Sequence, residues 1–262
     1  MRELVVKVIL ASHPHLRGLG LIGWHFDAIG VSEFRNLRKF TLRAEDDDGM
    51  ADMGEVRTLL DANEATLRHL ILGAYLERTH SWDSVFQSPT IKNLTHLDLV
   101  DTRISQVVFT RIAHAHNLQS LTLHGTFEEP IPATVVFNSD QVLDGQHTFL
   151  PHLEAFRLVV VGHDDQPGLY QAVVKFVQGR KRLRRLDLGS CPWELLQPVL
   201  RNLTSLRVLG VKITNLTAQA VASLVENIPS QMVAMNVSTE VSERPVVSAI
   251  AQFRPTLAQR VL

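Results

Sequence analysis

Apolar residues recur along this chain in a six-residue phrase, Leu-x-x-Leu-x-Leu with apolar substitutes, found nine times. The phrases start at Leu16 (LRGLGL), Leu37 (LRKFTL), Leu67 (LRHLIL), Leu94 (LTHLDL), Leu118 (LQSLTL), Leu153 (LEAFRL), Leu183 (LRRLDL), Leu206 (LRVLGV) and Met232 (MVAMNV). Successive starts are offset by 21, 30, 27, 24, 35, 30, 23 and 26 residues, a mean of 27. In an extended chain alternate side chains face opposite sides. The second and third apolar positions of a phrase, such as Leu97 and Leu99, therefore point inward together, and the first, such as Leu94, packs beneath them where the chain enters the strand. One phrase cannot bury that face alone. Stacked neighbours can, and their strands then form a parallel sheet.

Between phrases the period changes to that of a helix. Val221, Leu224, Val225 and Ile228 lie on one helical face that Pro229 ends. Val56, Leu59 and Leu60 repeat the pattern after the loop Glu45-Asp46-Asp47-Asp48-Gly49, and Leu169, Tyr170, Val173, Val174 and Val177 repeat it before Gly179. Pro192 falls where a first helical turn would begin, ahead of Trp193, Leu195, Leu196 and Val199. Pro198 is expected to shorten or kink that helix, because it lacks an N–H and clashes with the preceding turn. Leu4, Val5, Val8 and Ile9 predict a flanking helix within residues 1–15 that packs on the first repeat. Val246, Val247, Ile250 and Phe253 predict a second one within 242–262. These elements predict an α/β fold spanning residues 1–262 as one domain: a right-handed solenoid, or horseshoe, of about nine repeats, with a concave parallel sheet and outer helices. The longest gap, residues 127–149, is the natural insert.

The lead-ins HPHL (13–16), FRNL (34–37), IKNL (91–94), AHNL (115–118) and LPHL (150–153), taken with the phrase, resemble leucine-rich repeats of the ribonuclease-inhibitor-like class. The irregular repeat regions of fungal F-box proteins are similar. The likeness runs roughly from Met1 to Val237. It implies a leucine-rich-repeat fold that binds a partner protein and, by the F-box analogy, substrate recognition for a ubiquitin ligase. The family also implies Asn, Cys or Thr three residues after the last leucine, where the side chain satisfies turn backbone groups. Thr102, Thr126, Cys191 and Thr214 fit, whereas Trp24, Glu45, Tyr75, Val161 and Glu240 depart from the pattern. No F-box pattern precedes the repeats in this sequence.

Composition narrows the function. Twenty-six basic side chains face 27 acidic ones, for a net charge of −1, so total charge gives no long-range attraction to nucleic acid or anionic membrane. Neither is expected as a partner. The single cysteine, Cys191, permits no intrachain disulfide, which points to an intracellular, cytoplasmic or nuclear location. Leu4 to Ala11 is too short to cross a bilayer and is broken by Lys7, and no cleavage site follows before His13-Pro14-His15. Without a secretion signal the sequons at Asn93, Asn202, Asn215 and Asn236 imply no glycans.

Chemical motifs are sparse. Gly18-Leu19-Gly20-Leu21-Ile22-Gly23 matches a dinucleotide-binding pattern but lies inside the first phrase, where a strand is expected instead of a strand-to-helix turn. Cys191 sits at the structural turn position. Gly162-His163-Asp164-Asp165 reads as a polar loop, and no spacing predicts a catalytic triad, so the chain is expected to be no enzyme and to need no cofactor. Alignment of the phrases puts His69 and His96 at the same position of adjacent strands, with Asp98 on the same face and His124 one strand further. These donors invite a zinc reading, against which stands the reading of solvated face residues without a metal. Arg17, Arg38, Arg68, Arg184 and Arg207 each follow a first leucine and are expected to line one sheet edge. With Lys181, Arg182 and Arg185 they make a basic patch near the seventh repeat.

Positions three, five and seven of each phrase form the concave face. Its centre supplies the expected partner-binding residues: His69, His96, Asp98, His124, Arg157, Arg185 and Asp187. Arg157 and Asp187 occupy equivalent places on neighbouring strands, either as a lateral ion pair or as a charged anchor for the partner. The alternatives to protein binding are a small-ligand or metal receptor at the histidines, or an enzyme built on the insert. Apolar residues at both ends of the solenoid predict a cover, either a further upstream module or a second copy of the chain.

Overall fold

The structure, a computed structural model, describes residues 7–11, 13, 15–22, 30–43, 53–73, 82–127, 142–143, 147–161, 167–214 and 217–239. The fold is α/β, with nine parallel strands carrying the nine phrases. The chain divides into two compact units, Met1–Ile131 with Leu143–Pro151 and Pro132–Val142 with His152–Leu262.

In the first unit β1 (Gly18–Ile22), β2 (Lys39–Arg43), β3 (His69–Gly73), β4 (His96–Ile104) and β5 (Ser120–Phe127) lie side by side in chain order, all parallel. Helix α1 (Met53–Ala62) links β2 to β3. The short α2 (Asp83–Phe86) and a 3-10 turn at Pro89–Asn93 link β3 to β4, and α3 (Gln106–Ala113) links β4 to β5. Equivalent leucines meet across the strands, Leu70 with Leu97 and Leu97 with Leu121, then Leu72 with Leu99 and Leu99 with Leu123. All six are no more than 1% exposed, as are the entry leucines Leu37, Leu67, Leu94 and Leu118. Helix residues Val56, Leu59, Leu60, Val108 and Ile112 are buried as well. Apart from buried Thr41 on β2, the residues between these apolar positions stay half-buried or exposed, so the helices cover one face of the sheet and leave the other open.

Backbone hydrogen bonds lock each repeat onto the next. The carbonyl of Arg17 accepts from the N–H groups of both Arg38 and Lys39, at 2.7 and 3.0 Å. Arg38 does the same for Arg68 and His69, Arg68 for Thr95 and His96, and Thr95 for Gln119 and Ser120. A carbonyl has two lone pairs, so one oxygen serves two donors and fixes the register where each strand begins. Buried Asn63 adds a side-chain clasp. Its Oδ1 accepts from Leu37 N–H at 2.9 Å, and its Nδ2 donates to the carbonyls of Phe34 (2.9 Å) and Leu59 (2.7 Å).

The β4–β5 pair contains a bulge at Asp101, which sits at a φ of 51°. Beyond it Thr102 faces Gly125, and a Cβ at 125 would lie 1.8 Å from the Thr102 carbonyl oxygen. Only glycine fits this approach. Among the described residues the Thr102 hydroxyl meets no turn backbone group of the kind expected. It accepts the buried Trp82 Nε1–H at 2.5 Å.

Within the insert two short strands, β6 (Val142–Leu143) and β7 (His147–Thr148), pair with each other. The second unit then carries β8 (Ala155–Val160), β9 (Arg185–Pro192), β10 (Val208–Thr214) and β11 (Ala234–Thr239), again parallel and in chain order. Helices α4 (Pro167–Gln178), α5 (Trp193–Leu200) and α6 (Ala218–Asn227) link them. The double-acceptor pattern continues through the carbonyls of Glu154, Arg184 and Arg207. Leu158, Leu186, Leu188, Leu209 and Met235 of the strands are buried, as are Val173, Val177, Leu196 and Leu224 of the helices.

Pro192 is the last residue of β9 and the N-cap of α5, with extended ψ of 137°, and not the first helical residue that its position suggested. Pro198 lies inside α5, which at eight residues is shorter than α4 and α6. Ser105 and Thr217 cap α3 and α6, their hydroxyls accepting from Val108 N–H and Ala220 N–H at 3.2 Å each. At the N-terminal flank residues 7–11 are helical, with Val8 55% exposed and Ile9 half-buried. Leu4, Val5 and the flanking segment 242–262 lie outside the described residues. Among the described residues no helix is long and apolar enough to cross a membrane.

Candidate functional site

The open face of the first unit is a grid set by strand register. One row runs Gly18, Lys39, His69, His96, Ser120; the next Gly20, Thr41, Ile71, Asp98, Thr122; the third Ile22, Arg43, Gly73, Val100, His124. The alignment of His69 with His96 therefore holds. Their rings stack at 4.0 Å between centroids with 16° between planes. His96 Nδ1 is 2.9 Å from the Thr95 hydroxyl. The His69 pKa is lowered, first by burial and then by His96 and Lys39, with Asp98 opposing them.

The four zinc donors are not brought together. His124 stands two rows from the histidine pair, four residues along the strand or about 13 Å. It turns instead to Asp101, with Nδ1 3.5 Å from Oδ1. Asp101 also meets Arg43 at 3.9 Å, so the bulge puts a carboxylate between the Arg43 guanidinium and the His124 imidazole. Among the described residues no group of three or more His, Cys, Asp or Glu could hold a metal ion. Gly18–Ile22 is a strand paired with β2, not a phosphate-binding turn.

The open face of the second unit carries other chemistry. Arg157 sits opposite Asp187, and Arg157 Nε lies 3.4 Å from Asp187 Oδ2, which is the lateral ion pair that register suggested. Asp187 in turn faces Gly210, whose missing Cβ would lie 2.9 Å from Asp187 Oδ1. Arg185 is exposed one step earlier on β9, and Lys212 is exposed one step later on β10. Together with Gly189, Asn236 and Ser238 these residues line a depression of about 370 Å³.

Lys212, Asn236 and Ser238 are additions to the expected site. They hold positions five and seven of the eighth and ninth phrases, so the rule that singled out Arg157 and Asp187 would have found them had it been carried to the last repeats.

The expected arginine edge is partly engaged. Arg17 donates to the Asn36 carbonyl at 3.0 Å, Arg68 donates to those of Leu67 and Ala65 at 2.7 and 2.9 Å, and Arg184 Nε lies 3.7 Å from Glu154. These side chains fasten loops between repeats. Cys191 is fully buried, and burial with nearby Glu194 pushes its thiol up to about 12, which keeps it protonated and removes it as a nucleophile. The segments 162–166 and 128–141, which hold the polar loop and most of the insert, lie outside the described residues. No protein-family model matches the chain, and no curated protein matches it either.

Proposed function

We propose that this chain is a leucine-rich-repeat horseshoe that binds a partner protein on the open face of its strands, inside the cell and without catalysing a reaction. One observation carries the reading. On β4, β5, β9 and β10 positions four and six of the phrases are buried, while positions three, five and seven stay half-buried or exposed. The fold thus keeps one set of residues for stability and frees another, which is how repeat proteins present an extended binding surface. The freed set includes His69, His96, Asp98, His124, Arg157, Arg185 and Asp187. Arg and His offer directional hydrogen bonds, and Arg is favoured among residues that dominate interface energies.

Capture from the native host by the wild-type chain, compared with two variants, tests this. Asp98→Lys/Arg185→Glu changes the open face, and Lys175→Glu/Gln178→Lys changes the exposed side of α4. The expected result is a partner lost with the first variant and kept with the second. A partner set indifferent to the first variant overturns the proposal. The ubiquitin-ligase role implied by the resemblance is read from the same experiment. Ligase subunits that stay bound to the first variant support it, and their absence removes it.

A further inference from the structure

The depression on β8–β11 has a composition that selects its occupant. Three cations line it, Arg157, Arg185 and Lys212, against one carboxylate, Asp187, in a chain whose total charge is −1. Asp187 is already engaged by Arg157. Among the described residues neither Arg185 nor Lys212 meets a carboxylate, and both are exposed. Gly189 and Gly210 carry no side chains of their own, and Val159 and the Asp187 carboxylate lean over them, so the floor between the two cations is shallow and an incoming chain lies on top of it. Asn236 and Ser238 add neutral polar groups along β11.

Resting on the partner-binding proposal, we infer that this depression docks an acidic segment of the partner protein, lying extended with carboxylates on alternate residues. Register supplies the spacing. Arg185 pairs with Val208, and Lys212 stands four residues beyond Val208 on β10. The two cations are therefore about 13 Å apart along the strands, which equals the span from the first to the fifth residue of an extended segment. Arg157 lies between them in that direction, beside the third. Carboxylates on residues one, three and five of the segment point to one side and meet the three cations together.

Nucleic acid is the disfavoured occupant. No aromatic side chain lines the depression to stack on a base, and Asp187 places a negative charge amid the phosphate contacts that a nucleic acid would need.

The test is fluorescence anisotropy with the full chain and a labelled peptide, Ser-Glu-Ala-Glu-Ala-Glu-Ser. Controls are the peptide with Gln for Glu and a labelled ten-nucleotide single-stranded DNA. The expected results are binding of the Glu peptide only and at least tenfold weakening in Arg185→Glu/Lys212→Glu. Affinity should also fall steeply with salt and rise severalfold in Asp187→Asn. Unchanged melting temperature in the reversal variant shows that the loss is local. Equal binding of the Gln peptide, tighter binding of the DNA, or indifference to the charge reversal overturns the inference. Any of these leaves the partner-binding proposal standing if capture still depends on the open face, so the two failures are distinguishable.

Discussion

The open faces of the two units are built on different strands of the same repeated pattern and carry different electrostatic designs. In the first unit two carboxylates, Asp98 and Asp101, share the face with two cations, Arg43 and the exposed Lys39. Arg43 and His124 both turn to Asp101, and His69 and His96 stack on each other. In the second unit Arg157 and Asp187 pair, but Arg185 and Lys212 are left to solvent. Beneath both faces the leucine layer is interchangeable: Leu97 and Leu99 in β4, Leu186 and Leu188 in β9, all no more than 1% exposed. The difference teaches that burial fixes the fold through positions one, four and six, while the remaining positions are free to diverge without disturbing it.

The largest effects should therefore be common to the two units. Leu97→Ala and Leu186→Ala should each cost about 2–5 kcal/mol, the range for a buried leucine leaving a cavity. His96→Ala and Arg185→Ala, on the faces above them, should each cost less than about 0.5 kcal/mol. Urea denaturation followed by circular dichroism measures all four. A face substitution as damaging as a core one would mean that the face is part of the structural core, and the contrast between positions would collapse.

A smaller effect separates the units. The bulge at Asp101, which aims a carboxylate at Arg43 and His124, requires Gly125 opposite it. Gly125→Ala drives a methyl group into backbone and should cost about 2–3 kcal/mol. Gly189→Ala in the second unit meets Val159 Cγ1 at 3.1 Å and its Cα at 3.2 Å, contacts relieved by a shift of a few tenths of an ångström, and should cost about 1 kcal/mol. Similar melting temperatures for the two variants would show that the bulge is not the feature that sets the first face apart.

How far the sequence tells this apart is uneven, for physical reasons. Strand order, register and the burial of the phrase leucines follow from period, because only one alternation buries Leu97 with Leu99. The His69–His96 and Arg157–Asp187 contacts follow too, since equal phrase positions become cross-strand neighbours in parallel register. Bulges break that rule. Asp101 adds a residue to β4, so His124 pairs with a row that simple alignment does not connect to the bulge. Asn63 shows a second limit. It clasps Phe34, Leu37 and Leu59, yet in sequence it is one polar residue after a helix. The short α2 and the hydroxyl caps at Ser105 and Thr217 lack apolar periodicity and are visible only by their hydrogen bonds.

The smallest expected effect is a pH dependence confined to the first unit. The described open face of the second unit presents Arg157, Arg185, Asp187 and Lys212 but no histidine. In the first, His69 is faced by Lys39 from β2 and by His96 and Asp98 from β4, while Thr95 hydrogen-bonds His96. Burial, then His96 and Lys39, hold the His69 pKa below its ordinary 6.5, and Asp98 only partly offsets them. The folded state then binds fewer protons than the unfolded one between the lowered value and 6.5, so stability rises with pH across that window. Above 6.5 the histidine is neutral in both states and the full stability is present. It is lost progressively as pH falls toward the folded pKa. His69→Gln removes the group, and its melting temperature should change less between pH 7.5 and 5.5 than that of the wild type. Removal of Asp98, as Asp98→Asn, should lower the His69 titration midpoint further, read from its imidazole proton resonances. Arg185→Gln, on the other face, should leave that midpoint where it was. A His69 midpoint above 6.5 would reverse the sign, and it would mean that Asp98 outweighs burial at the stacked pair.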